Sequence, residues 1–303
     1  MKKGQVNILL STYNGEEYLE NLLNSLLQQD YKDFIISIRD DGSVDSTYQI
    51  LEKFSSYSNV RIIYGKNMGP TNSFFELLKE SGGSEYYAFC DQDDYWHETK
   101  ISRAIDKLLE RGEKPLLYGS GLTVVDENLN FIRETRNDKF RPSFENALVE
   151  NVIPGCTLVI NSEARNLIIK ELPSDLRMHD WWMYQVVSGV GEVVYDYESR
   201  ILYRQHGKNT VGSDFNLLDK WKRRISQLKK VNNRLKYIMI HADYLYEIHY
   251  DDMNVNSQKE LLAFINTKKG FSQKIKYIFI GKTYRMNFLD NIIFKTLFLI
   301  RKI

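Results

Sequence analysis

Residues 86–94 read YYAFCDQDD, an apolar run of five followed at once by three carboxylates within four residues. A short apolar run bounded by polar residues is typical of a strand buried in a sheet. Similar runs lie at 6–10, 34–38 and 60–64, and the segments between them carry apolar residues at helical spacing, such as Leu19, Leu22, Leu23 and Leu26. The first 110 residues therefore predict repeated strand–helix units.

Repeated units of this kind predict an α/β fold with a mostly parallel sheet and helices on both faces. Ligands of such sheets bind at the carboxyl ends of the strands, where the loops begin at Ser11, Asp40, Gly65 and Asp91. Beyond residue 115 short strands and helices mix, including a strand over 116–125. The predicted division is an α/β domain over 1–215, with halves 1–115 and 116–215, and a helical region over 216–303.

The net charge of +1 conceals an uneven distribution along the chain. Residues 216–303 hold 18 Lys and Arg against 7 Asp and Glu, whereas residues 1–215 hold 23 against 33. Two parts of opposite charge are expected to have different partners. Cys90 and Cys156 lie in apolar runs without disulfide or metal spacing, which predicts buried free thiols and a cytoplasmic protein. No apolar run is long enough for a signal peptide or a membrane span.

The carboxylates of Asp91, Asp93 and Asp94 repel one another at the end of a buried strand, and a bound cation relieves that repulsion. Oxygen ligands select a hard cation, so the cluster predicts Mn²⁺ or Mg²⁺. Such an ion bridges two phosphates of a nucleotide donor and stabilises the charge on the leaving diphosphate. The alternative is a solvated acidic turn, and the buried strand before the cluster favours the metal site.

Two earlier loops have the composition of nucleotide contacts. Residues 11–15 read STYNG, and small hydroxyl residues with a glycine permit a nucleotide to approach the backbone closely. Residues 39–43 read RDDGS, whose carboxylates are able to accept hydrogen bonds from a base or a ribose. Each pattern also fits an ordinary turn with a helix cap. The pattern of a Walker A loop is absent.

Asp180 stands between His179 and two tryptophans, Trp181 and Trp182. A carboxylate beside tryptophan has a raised pKa, which makes Asp180 a candidate general base. Aromatic rings stack on sugars, so His179, Trp181 and Trp182 are candidate acceptor-binding residues. The alternative is an amphipathic helix whose tryptophans belong to the core.

Residues 203–209 read YRQHGKN and combine basic groups with a histidine. Arg204 and Lys208 are able to clamp a diphosphate, and His206 is able to bind the metal or donate to a phosphate. The alternative is a basic loop with a structural histidine.

Taken together, the motifs of residues 9–15 (LLSTYNG), 39–47 (RDDGSVDST), 67–69 (NMG) and 91–94 (DQDD) resemble the family-2 glycosyltransferases, which have the GT-A fold. The match in order and spacing covers roughly residues 5–115, and it implies that 1–115 is the nucleotide-binding half and 116–215 the acceptor half of a catalytic domain. By position, Thr12 and Tyr13 line the base pocket, and Asp41 bonds the pyrimidine. Family members usually place their catalytic base in a Glu-Asp or similar pair at the start of a helix, where this chain has His179-Asp180.

The resemblance assigns a role to each candidate residue. The donor-binding set is Thr12, Tyr13, Asn14, Asp41, Asn67, Gly69, Asp91, Gln92, Arg204 and Lys208. The metal ligands are Asp93, Asp91 and His206, with Asp93 the direct ligand and Asp91 acting on ribose or through water.

A longer series of motifs resembles bacterial rhamnosyltransferases of wall and capsule polysaccharides. It comprises DQDDYW at 91–96, HDWW at 179–182 and YRQH at 203–206. The resemblance implies a dTDP-L-rhamnose donor and transfer with inversion. The alternatives are the same fold with a UDP-hexose or UDP-N-acetylhexosamine donor, or a non-catalytic module that binds sugar nucleotides. A nucleic-acid partner is not expected, because no binding motif accompanies the basic residues.

The C-terminal region alternates basic and bulky apolar residues. Lys220, Lys222, Arg223, Arg224, Lys229 and Lys230 cluster on one predicted helix, and Ile275, Phe279, Ile292 and Phe298 follow among further lysines. This pattern predicts helices that lie on an anionic membrane surface, where a lipid-linked glycan acceptor is presented, so the protein is expected to be peripheral on the inner face of the cell membrane. The alternative is packing on the catalytic domain or on a second subunit, as in a homodimer.

Overall fold

The computed structural model describes residues 3–135, 140–207 and 235–300. The predictions for Lys208 and for the basic helix at residues 220–230 lie outside these ranges. The strands are β1 Val6–Thr12, β2 Phe34–Asp40, β3 Val60–Tyr64, β4 Tyr86–Asp91, β5 Tyr95–Trp96, β6 Leu116–Ser120, β7 Thr123–Val125, β8 Phe131–Glu134, β9 Val159–Asn161, β10 Glu192–Asp196 and β11 Ile201–Arg204.

The helices alternate with these strands and then continue alone. They are α1 Leu19–Leu27, α2 Thr47–Phe54, α3 Gly69–Glu80, α4 Lys100–Leu109, α5 Phe144–Ala147, α6 Ser162–Ile169, α7 His179–Val190, α8 235–249, α9 Val255–Ile265, α10 Phe271–Ile280 and α11 Phe288–Ile300. Short 3₁₀ turns lie at Gly155–Thr157, Tyr250–Asp252 and Asn266–Lys269. Among the described residues, no helix combines the length and apolar character that crossing a membrane requires.

A seven-stranded sheet forms the centre, in the order β10-β6-β9-β4-β1-β2-β3. The pairs β1–β2, β1–β4, β2–β3 and β6–β10 are parallel, and β9 runs antiparallel to both β4 and β6. A smaller sheet has the order β5-β11-β7-β8. The predicted α/β fold with a mostly parallel sheet is confirmed.

The apolar spacing read from the sequence matches the faces that are buried. In α1, Leu19, Leu22, Leu23 and Leu26 all face the core. The core has two parts, one on each side of the main sheet, and α1, α2 and α4 cover one side. The other part joins α3, α6 and α7 to α8–α11, so the C-terminal helices share a core with the helices that cover this side of the sheet.

The predicted strand over 116–125 is divided. Residues Leu116–Ser120 belong to the main sheet, and Thr123–Val125 pair with β11 in the smaller sheet. The chain changes sheet at Gly121 and Leu122. Sequence periodicity did not reveal the break, because both pieces are apolar.

The strand register brings the predicted loops together. Ser11 lies opposite Asp91 on one side and Arg39 on the other, and Asp40 lies opposite Tyr64. The carboxyl ends of β4, β1, β2 and β3 therefore form one edge, and the motifs of all four loops meet there.

Candidate active site

Gln92 ties the acidic loop to the first loop of the chain. Its Oε1 accepts hydrogen bonds from the Thr12 hydroxyl at 2.7 Å and the Tyr13 N–H at 2.8 Å, and its Nε2 donates to the Tyr13 carbonyl at 3.1 Å. Gly15 lies so close to Gln92 that a Cβ there would meet the amide at 2.6 Å. The side chain of Gln92 therefore sets the path of the backbone at Tyr13, whose ring is exposed beside the strand ends.

Asn14 joins the first loop to the second. It adopts a positive φ of 48°, its N–H donates to the Ser43 hydroxyl at 2.8 Å, and its Oδ1 accepts from Val44 N at 2.9 Å. Gly15 N donates to the Thr47 hydroxyl at 2.8 Å. These bonds hold the two loops side by side at the edge of the sheet.

Asp41 is 2% exposed and caps the amino end of α3. One oxygen accepts from the N–H groups of Met68 and Gly69, both at 2.9 Å, and the other pairs with the Arg39 guanidinium. Gly69 has a φ of +79°, which residues other than glycine rarely adopt. Asn67 Oδ1 also accepts a hydrogen bond from the Gly69 N–H at 3.2 Å. Hydrogen bonds thus connect Asp41, Asn67 and Gly69 at the start of α3, and their role in donor binding stays a prediction.

The structure brings Asp93 and His206 together although 113 positions separate them. His206 Nε2 lies 2.9 Å from Asp93 Oδ2, and its ring packs on Tyr18 with centroids 5.0 Å apart. A carboxylate and an imidazole are both ligand types of Mn²⁺. Two of the three predicted metal ligands, Asp93 and His206, therefore lie together, while Asp91 stands at the end of β4 and its part in metal binding stays a prediction.

The charges of the acidic loop are closely packed. Burial, together with the nearby charges of Asp93 and Asp180 and against the opposing charge of Lys100, raises the pKa of Asp91 to about 7. Such a site favours a divalent cation, because the cation supplies the positive charge that the carboxylates lack. Asp180 lies beside Gly155, and the next residue, Cys156, has its sulfur within 4.8 Å of the Asp91 carboxylate.

A second group, Asp91, Asp94 and Cys156, has ligand atoms within 4.8 Å of one another. Asp94 and Cys156 are fully buried, and burial raises the pKa of both groups well above the ordinary values. Burial disfavours the charged forms in which Asp94 and Cys156 bind a metal. Asp91 belongs both to this group and to the predicted set of Asp91, Asp93 and His206, which stays a prediction. Both cysteines are free and buried, as predicted.

Arg204 makes hydrogen bonds with the acidic loop. The guanidinium donates to the Asp93 carbonyl at 2.9 Å and to the Glu127 carbonyl, and it lies 4.4 Å above the Tyr18 ring. The backbone N–H of Arg204 donates to Asp94 Oδ1 at 3.3 Å. Arg204 is buried, so the contact with a diphosphate expected from the sequence stays a prediction, and its observed contacts are with the loop that carries Asp93.

Asp180 opens α7 and is almost wholly buried. Burial raises the pKa of Asp180 to about 6, while the Asn151 amide and the backbone N–H groups of Trp181 and Gly155 favour its ionised form. Trp181 N lies 2.7 Å from Asp180 Oδ1. A carboxylate with a pKa near 6 is ionised at neutral pH and is a stronger base than an ordinary aspartate. The raised pKa agrees with the sequence expectation, and the role of Asp180 as general base stays a prediction.

The residues that flank Asp180 do not form an acceptor surface in this structure. Trp182 is 0% exposed, and Trp181 donates from Nε1 to the Ala147 carbonyl at 2.7 Å inside the core. His179 packs on Phe74 with ring centroids 4.3 Å apart, and burial lowers its pKa to about 3. The expectation that Trp181 and Trp182 stack on a sugar is corrected, because α7 turns both rings into the core against α8.

Lys100 is a residue of the site that the sequence did not single out. Its ammonium lies 3.4 Å from the centre of the Trp96 ring, and burial lowers its pKa to about 8 although the negative groups of the acidic loop raise it. It provides a buried positive charge beneath Asp91 and Asp94. Its position at the start of α4, six residues after Asp94, carries no motif that distinguishes it from a surface lysine.

The fold is similar to a crystal structure of S. aureus TarS (residues 1–349) in complex with UDP-GlcNAc. The TM-score is 0.60 at 19% identity, over 86% of this chain and 71% of that one. With its mostly parallel sheet, the chain has the GT-A fold of that structure. The sequence profile described as glycosyl transferase family 2 matches residues 7–164.

Similarity to curated proteins extends further along the chain. The dTDP-rhamnosyl transferase RfbG of Shigella flexneri is 33% identical over 230 residues, which are 71% of this chain and 77% of that protein. The putative teichuronic acid biosynthesis glycosyltransferase TuaG of Bacillus subtilis is 28% identical over 53% of this chain and 64% of its own. The chain belongs to glycosyltransferase family 2.

Proposed function

We propose that this glycosyltransferase transfers L-rhamnose from dTDP-L-rhamnose to a hydroxyl of a lipid-linked precursor of a cell-surface polysaccharide, with inversion. One observation supports it: Asp180 lies next to Gly155, 3.5 Å from the position of a Cβ there, and the next residue, Cys156, has its sulfur within 4.8 Å of the Asp91 carboxylate. A base and an acidic metal-binding loop then face the same space. The similarity to RfbG supports the rhamnose donor.

In this mechanism Asp91, Asp93 and His206 hold a divalent cation, Mn²⁺ or Mg²⁺. When bound, the cation supplies Lewis-acid stabilisation of the charge that develops on the diphosphate. Thr12, Tyr13 and Asp41 hold the nucleotide base at the carboxyl ends of β1 and β2.

Asp180 accepts the proton of the acceptor hydroxyl. The hydroxyl oxygen forms a bond to the anomeric carbon as the bond from that carbon to the diphosphate oxygen breaks, and the nucleoside diphosphate leaves with the electron pair. Attack opposite the leaving group inverts the configuration in one step. Burial of Asp180 supports this role because it makes the carboxylate more basic.

A second donor class has its own support. The crystal structure of TarS with UDP-GlcNAc shows that this fold holds a UDP-sugar, so a UDP-hexose or UDP-N-acetylhexosamine is the alternative. Calorimetry with dTDP-rhamnose, UDP-glucose and UDP-GlcNAc, each with and without Mn²⁺, separates the two. We expect Mn²⁺-dependent binding of dTDP-rhamnose, and selective binding of a UDP-sugar would replace the donor while leaving the transferase.

A non-catalytic module that binds sugar nucleotides is the alternative of another class. Turnover separates it from an enzyme, since a module binds the donor without releasing the nucleoside diphosphate when the acceptor is added. We also propose that the protein works in the cytoplasm at the inner face of the membrane, where a lipid-linked acceptor resides, and a homodimer is compatible with this placement.

A further inference from the structure

The two last helices, α10 and α11, expose large apolar side chains. Phe279 is 82% exposed and Phe288 is 75% exposed. The full set is Phe271, Ile275, Phe279 and Ile280 on α10, and Phe288, Leu289, Ile292, Ile293 and Ile300 on α11. We call these nine residues the C-terminal apolar surface. The two helices contact each other, and a concentration of exposed large apolar side chains on neighbouring helices is typical of an interaction site.

The exposed residues follow helical spacing on each helix. Phe271, Ile275 and Phe279 are four residues apart and form one stripe along α10. On α11 the exposed positions 288, 289, 292, 293 and 300 also share one face, whereas Phe294 and Phe298 point to the core. Phe298 packs on Tyr277 and Phe264, with ring centroids 6.0 Å and 5.6 Å apart. Each helix therefore has a packed face and an unpacked apolar face.

The charge around the surface is strongly positive. Residues 266–300 contain seven Lys and Arg and a single acidic residue, Asp290. Lys269, Lys276 and Lys282 are exposed, and Lys268 is paired with Asp243. Two copies of this surface placed face to face would bring like charges together, which disfavours a homodimer through this face. An anionic lipid surface complements both the apolar rings and the lysines.

We propose that the C-terminal apolar surface inserts into the headgroup region of an anionic bilayer and that the neighbouring lysines bind its phosphates. The helices lie in the plane of the interface. Each exposed phenylalanine contributes roughly a tenfold increase in partitioning, from the apolar area that leaves water. The lysines add an attraction that falls with ionic strength.

Hydrogen bonds connect the segment beside the C-terminal apolar surface to residues 146–150, which lie next to Asn151. In the segment between α10 and α11, Arg285 donates to Glu150 at 3.1 Å, and Met286 N donates to the same carboxylate at 2.7 Å. Asn146 Nδ2 donates to the Tyr284 carbonyl at 3.2 Å. Glu150 adjoins Asn151, whose amide faces Asp180. This inference deepens the proposed function, because docking here would hold the base near an acceptor anchored in the same bilayer.

Sedimentation of the full chain with phosphatidylglycerol vesicles tests the proposal, with phosphatidylcholine vesicles for comparison. We expect binding to phosphatidylglycerol that weakens at high salt and about a hundredfold weaker binding for the double variant Phe279→Ser/Phe288→Ser. Lys276→Gln/Lys282→Gln should weaken binding to phosphatidylglycerol at low salt. Phe131→Ser is the matched control, since Phe131 is 67% exposed on β8, and it should bind like the unmodified chain.

Docking would be overturned if the unmodified chain did not bind vesicles, or if Phe131→Ser lost as much vesicle binding as Phe279→Ser/Phe288→Ser. It would also be overturned if light scattering showed that Phe279→Ser/Phe288→Ser converts a dimer to a monomer. Thermal unfolding confirms that the variants are folded. Calorimetric donor binding is measured on the same samples. If donor binding persists while vesicle binding is absent, the docking fails and the transferase stands; if vesicles bind but no sugar nucleotide does, the proposed function fails and the docking stands.

Discussion

Replacing Asp180 with asparagine is expected to stabilise the protein while abolishing sugar transfer. Burial raises the pKa of this carboxyl from 3.8 to about 6. An acid whose pKa is raised on folding destabilises the native state wherever it is ionised, and about 2 pKa units correspond to about 3 kcal/mol. Asparagine has nearly the same shape and no charge, and its side-chain oxygen keeps the hydrogen bond from Trp181 N.

The difference in stability between Asp180→Asn and the unmodified chain depends on pH. The destabilisation caused by ionised Asp180 is fully present above its pKa in the folded protein. It disappears as the pH falls towards the pKa of the same group in the unfolded chain. The advantage of Asp180→Asn should therefore be about 3 kcal/mol at pH 8 and below about 1 kcal/mol at pH 4. Urea unfolding without metal at several pH values measures the difference, and kcat should drop by about 10²–10⁴-fold. Asp106→Asn, an exposed control paired with Lys3, should change neither quantity.

Either of two results would refute this account. A variant that is less stable than the unmodified chain at pH 8 would mean that Asp180 is a structural anchor whose ionised form the fold stabilises. Near-normal turnover would mean that another group removes the acceptor proton.

Three further predictions concern the same site. With saturating Mn²⁺, kcat/KM should fall about tenfold between pH 7 and pH 5, because a base with a pKa near 6 becomes protonated there; a flat profile would contradict it. Asp93→Ala and His206→Ala should each weaken Mn²⁺-dependent donor binding at least about tenfold in calorimetry and leave metal-free binding unchanged. Lys100→Met should tighten Mn²⁺ binding about tenfold, since a buried positive charge near the acidic loop is removed; equal or weaker binding would show that Lys100 does not act through its charge.

The sequence by itself determined the α/β class and the edge of the sheet on which the motifs lie. Apolar runs such as 86–90 specify buried strands locally, and parallel strands necessarily bring their following loops to one edge. The order of four motifs along the chain therefore predicted their meeting at one end of β1, β2, β3 and β4. The antiparallel insertion of β9 between β4 and β6 was not predictable, because it depends on pairing between strands about 40–70 residues apart.

Tertiary structure alone decided which candidates share a space and which are core. The pairing of Asp93 with His206, and the placement of Asp180 beside Asp91, join distant parts of the chain. An aromatic residue in a helical pattern has the same appearance in the sequence whether its side chain is buried or exposed. Trp182 and Phe298 are buried, whereas Phe279 is exposed. Helical spacing defines a face but not what covers it, since burial depends on the neighbouring element that the fold supplies.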